Sequence, residues 1–262
     1  MNGIIDGGCY TLKDDEWLNN QRHAGKVLVE TINEMGKLIA PGVPTKFIND
    51  LGEKMILSHD GCTPTFKGYN GFPEAFCISI NKELVHGIPR DDRFIKDGDI
   101  VKIDGGVSYK GAIADMARTF AVGNADKRYL YLMDAAKSAL SDAIASIKFD
   151  GGCENRIGTI GYIIKKAAIK IGAKVITELT GHGLELGTPH WFPFIYNIGE
   201  KNKGLRIYPR MTFCIEPMMA YGNNKITLGT DNWTVSTESA GVHFEDTIFI
   251  HEDHVEIITA AE

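Results

Sequence analysis

Apolar residues recur at three- and four-residue spacing over residues 14–39, where Trp17, Ala24, Val27, Leu28, Ile32, Met35 and Leu38 share one face. That period predicts an amphipathic helix, ended by Pro41-Gly42. A second helix is predicted over residues 45–58, with Thr45 as its N-cap, Phe47, Ile48, Leu51 and Met55 on one face, and His59-Asp60-Gly61 as its stop. Residues 63–73 are rich in Gly, Pro and aromatics; residues 75–80 are strand-like, and His86-Gly87-Ile88-Pro89 reads as a turn. A long helix follows over residues 127–147, with Leu130, Met133, Ala136, Leu140, Ala143 and Ile144 inward. After the break Asp150-Gly151-Gly152, another amphipathic helix covers roughly residues 154–171. Strand character then returns at residues 174–179, 205–217, 234–237 and 245–250. Residues 1–13 read as an irregular lead-in and residues 14–262 as one domain. Helices gathered on one face of a mostly antiparallel sheet make an α+β fold. The helix-pair-then-strands order occurs twice, which hints at a duplicated, two-lobed architecture.

Between the two halves lies the stretch that organises the chain, GDIVKIDGGVSYKGAIADMARTF, residues 98–120. Asp104 follows Ile100, Val101 and Ile103; Asp115 stands between Ile113-Ala114 and Met116-Ala117. With Gly105-Gly106 and Lys110-Gly111 read as turn and bulge, the stretch predicts one bent β-hairpin carrying two aspartates in apolar surroundings. Strand-end aspartates facing solvent are the bland alternative. A buried carboxylate is costly unless it is paired or holds a metal.

Three later segments decide between these readings. TGHGL gives His182, FCIEPM gives Glu216 and VHFEDTIF gives Glu245. Both glutamates interrupt otherwise continuous core strands, where Glu is rarely found without a partner. Four carboxylates and one imidazole form the donor set expected for divalent ions that favour oxygen and nitrogen. Four negative charges are balanced by two such ions, which makes the expected centre dinuclear. No competing signature is present: no GxSxG, P-loop, GxGxxG after a strand, or HExxH.

Composition narrows the setting. The chain has 262 residues, 44% hydrophobic and 24% charged, with a net charge of −6 and no Lys/Arg-dense patch, so nothing points to nucleic acid. Five scattered cysteines without a CxxC pair exclude a disulfide framework and a Cys-ligated zinc site, and fit a reducing compartment. The acidic N-terminus has no apolar run long enough for a signal peptide or membrane span, so a cytoplasmic protein is expected. No heptads are present, and a monomer is expected.

The strings CISINKELVHGIP, KDGDIVKIDGG with ADMARTF, TGHG, MTFCIEPM, and WTVSTE with HFEDTI resemble, in order, the signatures of methionine aminopeptidase, type I. The resemblance runs from about residue 15 to the C-terminus. It implies the pseudo-symmetric "pita-bread" fold and removal of the N-terminal Met from nascent proteins whose second residue is small, by attack of water held between the two metal ions. It further implies that Asp104 is a terminal bidentate ligand, that Asp115 and Glu245 bridge, and that His182 and Glu216 belong to the other ion, with Glu216 also a proton shuttle. His86 is placed near the substrate amine, and His190 at the carbonyl as a stabiliser of the oxyanion. Tyr69, Phe72, Cys77, Met218 and Trp233 resemble the family's methionine pocket, an apolar and polarisable setting. The ions could be Mn, Fe, Co or Zn. Nascent N-termini, and a ribosome that presents them, are the partners implied. One departure stands out: His190 follows His182 by eight residues rather than the family's seven, in what reads as a reshaped loop, GHGLELGTPHWFP. A proline-specific peptidase of the same fold, a non-catalytic relative binding peptides or RNA, and a paralogue with shifted substrate preference are the alternatives.

Overall fold

The computed structural model describes residues 10–149 and 155–260. Helices α1 (Asp15–Lys37) and α2 (Thr45–Leu57) come first. Strands β1 (Cys62–Pro64), β2 (Phe76–Ile80), β3 (Glu83–Val85), β4 (Ile100–Tyr109) and β5 (Ala112–Ala121) follow. The second half begins with α3 (Lys127–Ala145) and α4 (Ile157–Lys170), then β6 (Lys174–Val175), β7 (Thr180–Glu185), β8 (Thr188–Tyr196), β9 (Thr212–Ile215) and β10 (Met218–Ala220). It closes with β11 (Ile226–Leu228), β12 (Val235–Thr237), β13 (Gly241–His243), β14 (Glu245–Ile250) and β15 (Val255–Ile257). The main sheet has the order β1-β4-β5-β14-β9-β7-β8, with β2 sharing the edge of β4 and β15 the edge of β14. Every ladder is antiparallel.

Each helix pair builds its own core. Val27, Leu28, Ile32 and Met35 of α1 pack with Ile48 and Ile56 of α2 against Ile78, Val101, Ile103 and Met116 of the sheet. Ala136, Leu140 and Ala143 of α3 and Ile160 and Ile164 of α4 pack against Phe213, Ile215, Ile248 and Ile250. The expected two-lobed α+β arrangement is therefore present, with both helix pairs covering sheet faces.

Several elements differ in detail from those the sequence predicts. The buried face of α2 is Ile48, Asn49, Gly52 and Ile56, while Phe47 is 56% exposed. The buried Asn49 donates to Glu74 and accepts from the Phe76 N–H, which turns the helix by about one position from the purely apolar stripe. Thr45 is the first helical residue rather than the cap; Pro44 takes that place, and the Thr45 hydroxyl accepts from the Arg90 N–H instead. In α3 Leu132 and Ala139 are inward and Leu130 is exposed. Residues 205–210 are not strand, and β6 is only two residues long. The Gly-rich break at residues 150–152, the start of the α4 helix at Glu154, and Cys9 and Cys153 lie outside the described residues.

The largest difference concerns Gly105-Gly106. These residues are neither turn nor bulge: β4 and β5 pair without interruption from Ile100↔Ala121 to Tyr109↔Ala112, and only Lys110-Gly111, both at positive φ, make the turn. Gly105 is needed for space, because a Cβ there would overlap the Phe76 ring. Gly105→Ala is accordingly expected to cost about 1–3 kcal/mol by overpacking, read as a lowered thermal midpoint.

The alternation of β4 and β5 explains where the aspartates go. Ile103 and Met116 face the α1–α2 core, so Asp104 and Asp115 face the opposite side of the sheet. Cross-strand pairing sets Cys77, Asp104, Ala117 and Glu245 in one row across β2, β4, β5 and β14.

Candidate metal centre and substrate cavity

One cavity of about 320 Å³ opens over that row. All twelve residues expected at the site border it: Asp104, Asp115, His182, Glu216 and Glu245, then His86 and His190, then Tyr69, Phe72, Cys77, Met218 and Trp233. Asp115 is completely buried, and the other four donors are close to it. One oxygen from each of Asp104, Asp115 and Glu245 lies within 4.8 Å of the other two. The same holds for donor atoms of Glu216, His243 and Glu245. His182 Nε2 is 3.6 Å from Glu216 Oε1 and 3.7 Å from Glu245 Oε1. Glu245 thus belongs to both groups and joins them.

The backbone holds these groups rigidly. The Thr247 hydroxyl accepts from the Asp115 N–H at 2.9 Å and donates to the Asp115 carbonyl at 2.8 Å. Strand β14 therefore fixes Asp115 as well as supplying Glu245. Arg118 donates to the Glu245 carbonyl and pairs with Asp246 at 2.6 Å, tying β5 to β14 beside the site.

Four carboxyl groups this close and this dry repel one another. Burial, and after it the neighbouring carboxylates, push Asp104, Glu216 and Glu245 far above the usual range. Burial pushes Asp115 up to about 7. Burial holds the His182 imidazole neutral, well below its ordinary range. Asp115 Oδ2 and Glu245 Oε1 are buried without a hydrogen-bond partner. Unpaired buried carboxylate oxygens converging with a neutral imidazole fit bound divalent cations, because a cation removes the repulsion and supplies the missing partners.

The walls differ in character from the floor. Phe72 and Trp233 meet edge to face at 5.2 Å, and Phe66 and Cys77 are buried beside them. Cys77 lies opposite Asp104, and its thiol is pushed up by burial and by Asp104 and Asp115. Such a thiol is a wall, not a nucleophile. His86 leaves β3 with φ 58, a left-handed backbone that turns its ring toward Trp233, and burial lowers its pKa.

His190 lies in β8, not in a loop. The β7–β8 ladder shifts register between His182 and Gly183 and again between Gly183 and Glu185. These bulges take up the longer spacing, and they set the His190 ring perpendicular to that of His182 at 4.4 Å, flanked by Tyr69 at 5.4 Å.

Sequence reading passes over His243, which borders the cavity with its Nε2 3.1 Å from Glu216 Oε2. Burial and the charges of His86, Lys102 and Arg118 hold it down to about 3. Its signal was strand alternation, since it precedes Glu245 by two residues and alternate residues share a side.

Comparisons with known proteins match nearly the whole chain to one family. The model of metallopeptidase family M24 matches residues 19–252. A methionine aminopeptidase of Mycoplasma capricolum is 40% identical over 255 residues, covering 96% of this chain and 99% of the relative. The solved methionine aminopeptidase of Thermotoga maritima superposes with a TM-score of 0.91 at 33% identity, over 95% of this chain and 99% of that one. A prolidase from Pyrococcus furiosus, at 21% identity and TM-score 0.75, shares the fold, and this chain spans 66% of it. Matched along nearly its whole length, in sequence and in fold, the chain belongs to metallopeptidase family M24 and, within it, to the methionine aminopeptidases.

Proposed function

We propose that this chain removes the N-terminal methionine from peptides and nascent proteins whose second residue is small, using two divalent cations. The observation that carries this reading is the convergence of five oxygen and nitrogen donors from both halves of the chain beneath an apolar, aromatic cavity. Asp104 would hold one cation, His182 and Glu216 the other, and Asp115 and Glu245 would be shared, a division the place of Glu245 in both donor groups supports. Such cations, from the set Mn, Fe, Co and Zn, acidify water and polarise the scissile carbonyl.

The chain's own groups do the rest. Phe72, Cys77, Trp233, Tyr69 and Met218 enclose the methionine side chain and exclude water. His86, neutral because it is buried, accepts a hydrogen bond from the substrate's amino group. His190 donates to the carbonyl oxygen as it gains negative charge. Glu216 takes the proton released by the attacking water and returns it to the leaving amine.

The test is hydrolysis of Met-Ala-Ser, Met-Leu-Ser and Ala-Pro by metal-stripped protein given Mn²⁺ or Co²⁺. Metal-dependent release of Met from Met-Ala-Ser alone is expected; cleavage of Ala-Pro would move the chain to proline-specific chemistry. His190→Ala is expected to lower kcat/KM for Met-Ala-Ser by about 10²-fold, with bound metal unchanged by elemental analysis.

A further inference from the structure

We infer that His243 is the positioning residue for Glu216, orienting that carboxylate toward the metal centre by a hydrogen bond from its ring. The inference rests on the reading of Glu216 as a cation ligand.

The His243 backbone is clamped. Its N–H donates to the Thr119 hydroxyl at 2.9 Å and its carbonyl accepts from the same hydroxyl at 2.6 Å. Thr119 lies in β5, the strand that carries Asp115. On its other side His243 pairs with Met218 of β10, two residues beyond Glu216. The ring is therefore held between the strand of one ligand and the segment of another, and it is 1% exposed.

Its chemistry selects one arrangement. A carboxylate that binds a cation is deprotonated and can only accept hydrogen bonds, so the ring must present an N–H at Nε2 to Glu216 Oε2, 3.1 Å away. Nδ1 is buried without a partner. In this tautomer Nδ1 carries only a lone pair; in the other, a buried N–H would be orphaned and two lone pairs would face each other. With Oε2 committed to His243, Oε1 is the oxygen turned toward His182 Nε2, at 3.6 Å. His243 thus fixes which Glu216 oxygen faces the centre. Hydrogen bonds of this kind orient ligands and tune their affinity.

Titration calorimetry of Mn²⁺ into metal-stripped wild type, His243→Leu and His243→Gln tests the assignment, with thermal melting in chelator as the folding control. His243→Leu is expected to weaken one of two binding events by about 10–100-fold. His243→Gln, which can donate an N–H, is expected to restore most of that loss. Wild-type affinity in His243→Leu would overturn the inference. Equal loss in the Leu and Gln variants, both folded, would also overturn it, since the imidazole would then be a ligand itself. Absence of binding by wild type would instead sink the reading of Glu216 and the inference with it.

Discussion

Glu245→Gln is expected to lower kcat/KM for Met-Ala-Ser by at least about 10³-fold, equivalent to about 4 kcal/mol, and to reduce bound metal from two ions to one or none. Glu245 shares one donor group with Asp104 and Asp115 and another with Glu216 and His243. Removing one of its charges therefore weakens both halves of the centre at once, whereas a change at Asp104 touches one. The same substitution relieves repulsion among four buried carboxyls. Metal-free Glu245→Gln is thus expected to melt higher than metal-free wild type at pH 8. Elemental analysis, kinetics and melting in chelator are the measurements. Two ions retained with full activity would remove Glu245 from the centre.

The second large effect concerns pH and metal together. Asp104, Asp115, Glu216 and Glu245 all have pKa values raised by burial, Asp115 to about 7. A carboxyl whose folded pKa is raised binds its proton more tightly in the folded than in the unfolded state. Metal-free stability is then greatest at low pH and falls as pH rises through the folded values. Buried histidines act in the opposite direction: His86, His182, His190 and His243 have lowered pKa values, so they destabilise the fold once pH drops below the ordinary histidine range. Metal-stripped protein should therefore melt several degrees lower at pH 8.5 than at pH 7, with the trend reversing below about pH 6.5. Saturating Mn²⁺ should abolish the alkaline loss, because the cations hold the carboxylates ionised at no electrostatic cost. A flat melting profile from pH 7 to 8.5 in chelator would contradict the clustering of the carboxyls.

Much of this was legible in the chain because its signals are local. The α1 period, the Lys110-Gly111 turn, and Glu216 and Glu245 interrupting apolar strands each declare themselves within a few residues. What was missed depends on partners far away in sequence. Gly105 reads as a turn until Phe76 is seen packed on it. The α2 face is set by Asn49 finding Glu74 and the Phe76 backbone, not by the apolar count. His243 looks like ordinary strand until Thr119 and Glu216 are placed on either side of it. The displaced His190 needed the β7–β8 register shifts, which three extra backbone positions in β8 create and no short motif records.

The row Cys77–Asp104–Ala117–Glu245 crosses from the first half of the chain to the second. Asp104 and Asp115 are synthesised well before His182, Glu216 and Glu245. The Asp104–Asp115–Glu245 donor group draws on both halves, so uptake of the second ion should switch on only when the C-terminal strands close on the N-terminal lobe. That ion then acts as a clasp on the finished molecule: two fragments divided between β5 and α3 should together take up fewer ions apart than joined, and should reassemble more tightly when Mn²⁺ is present.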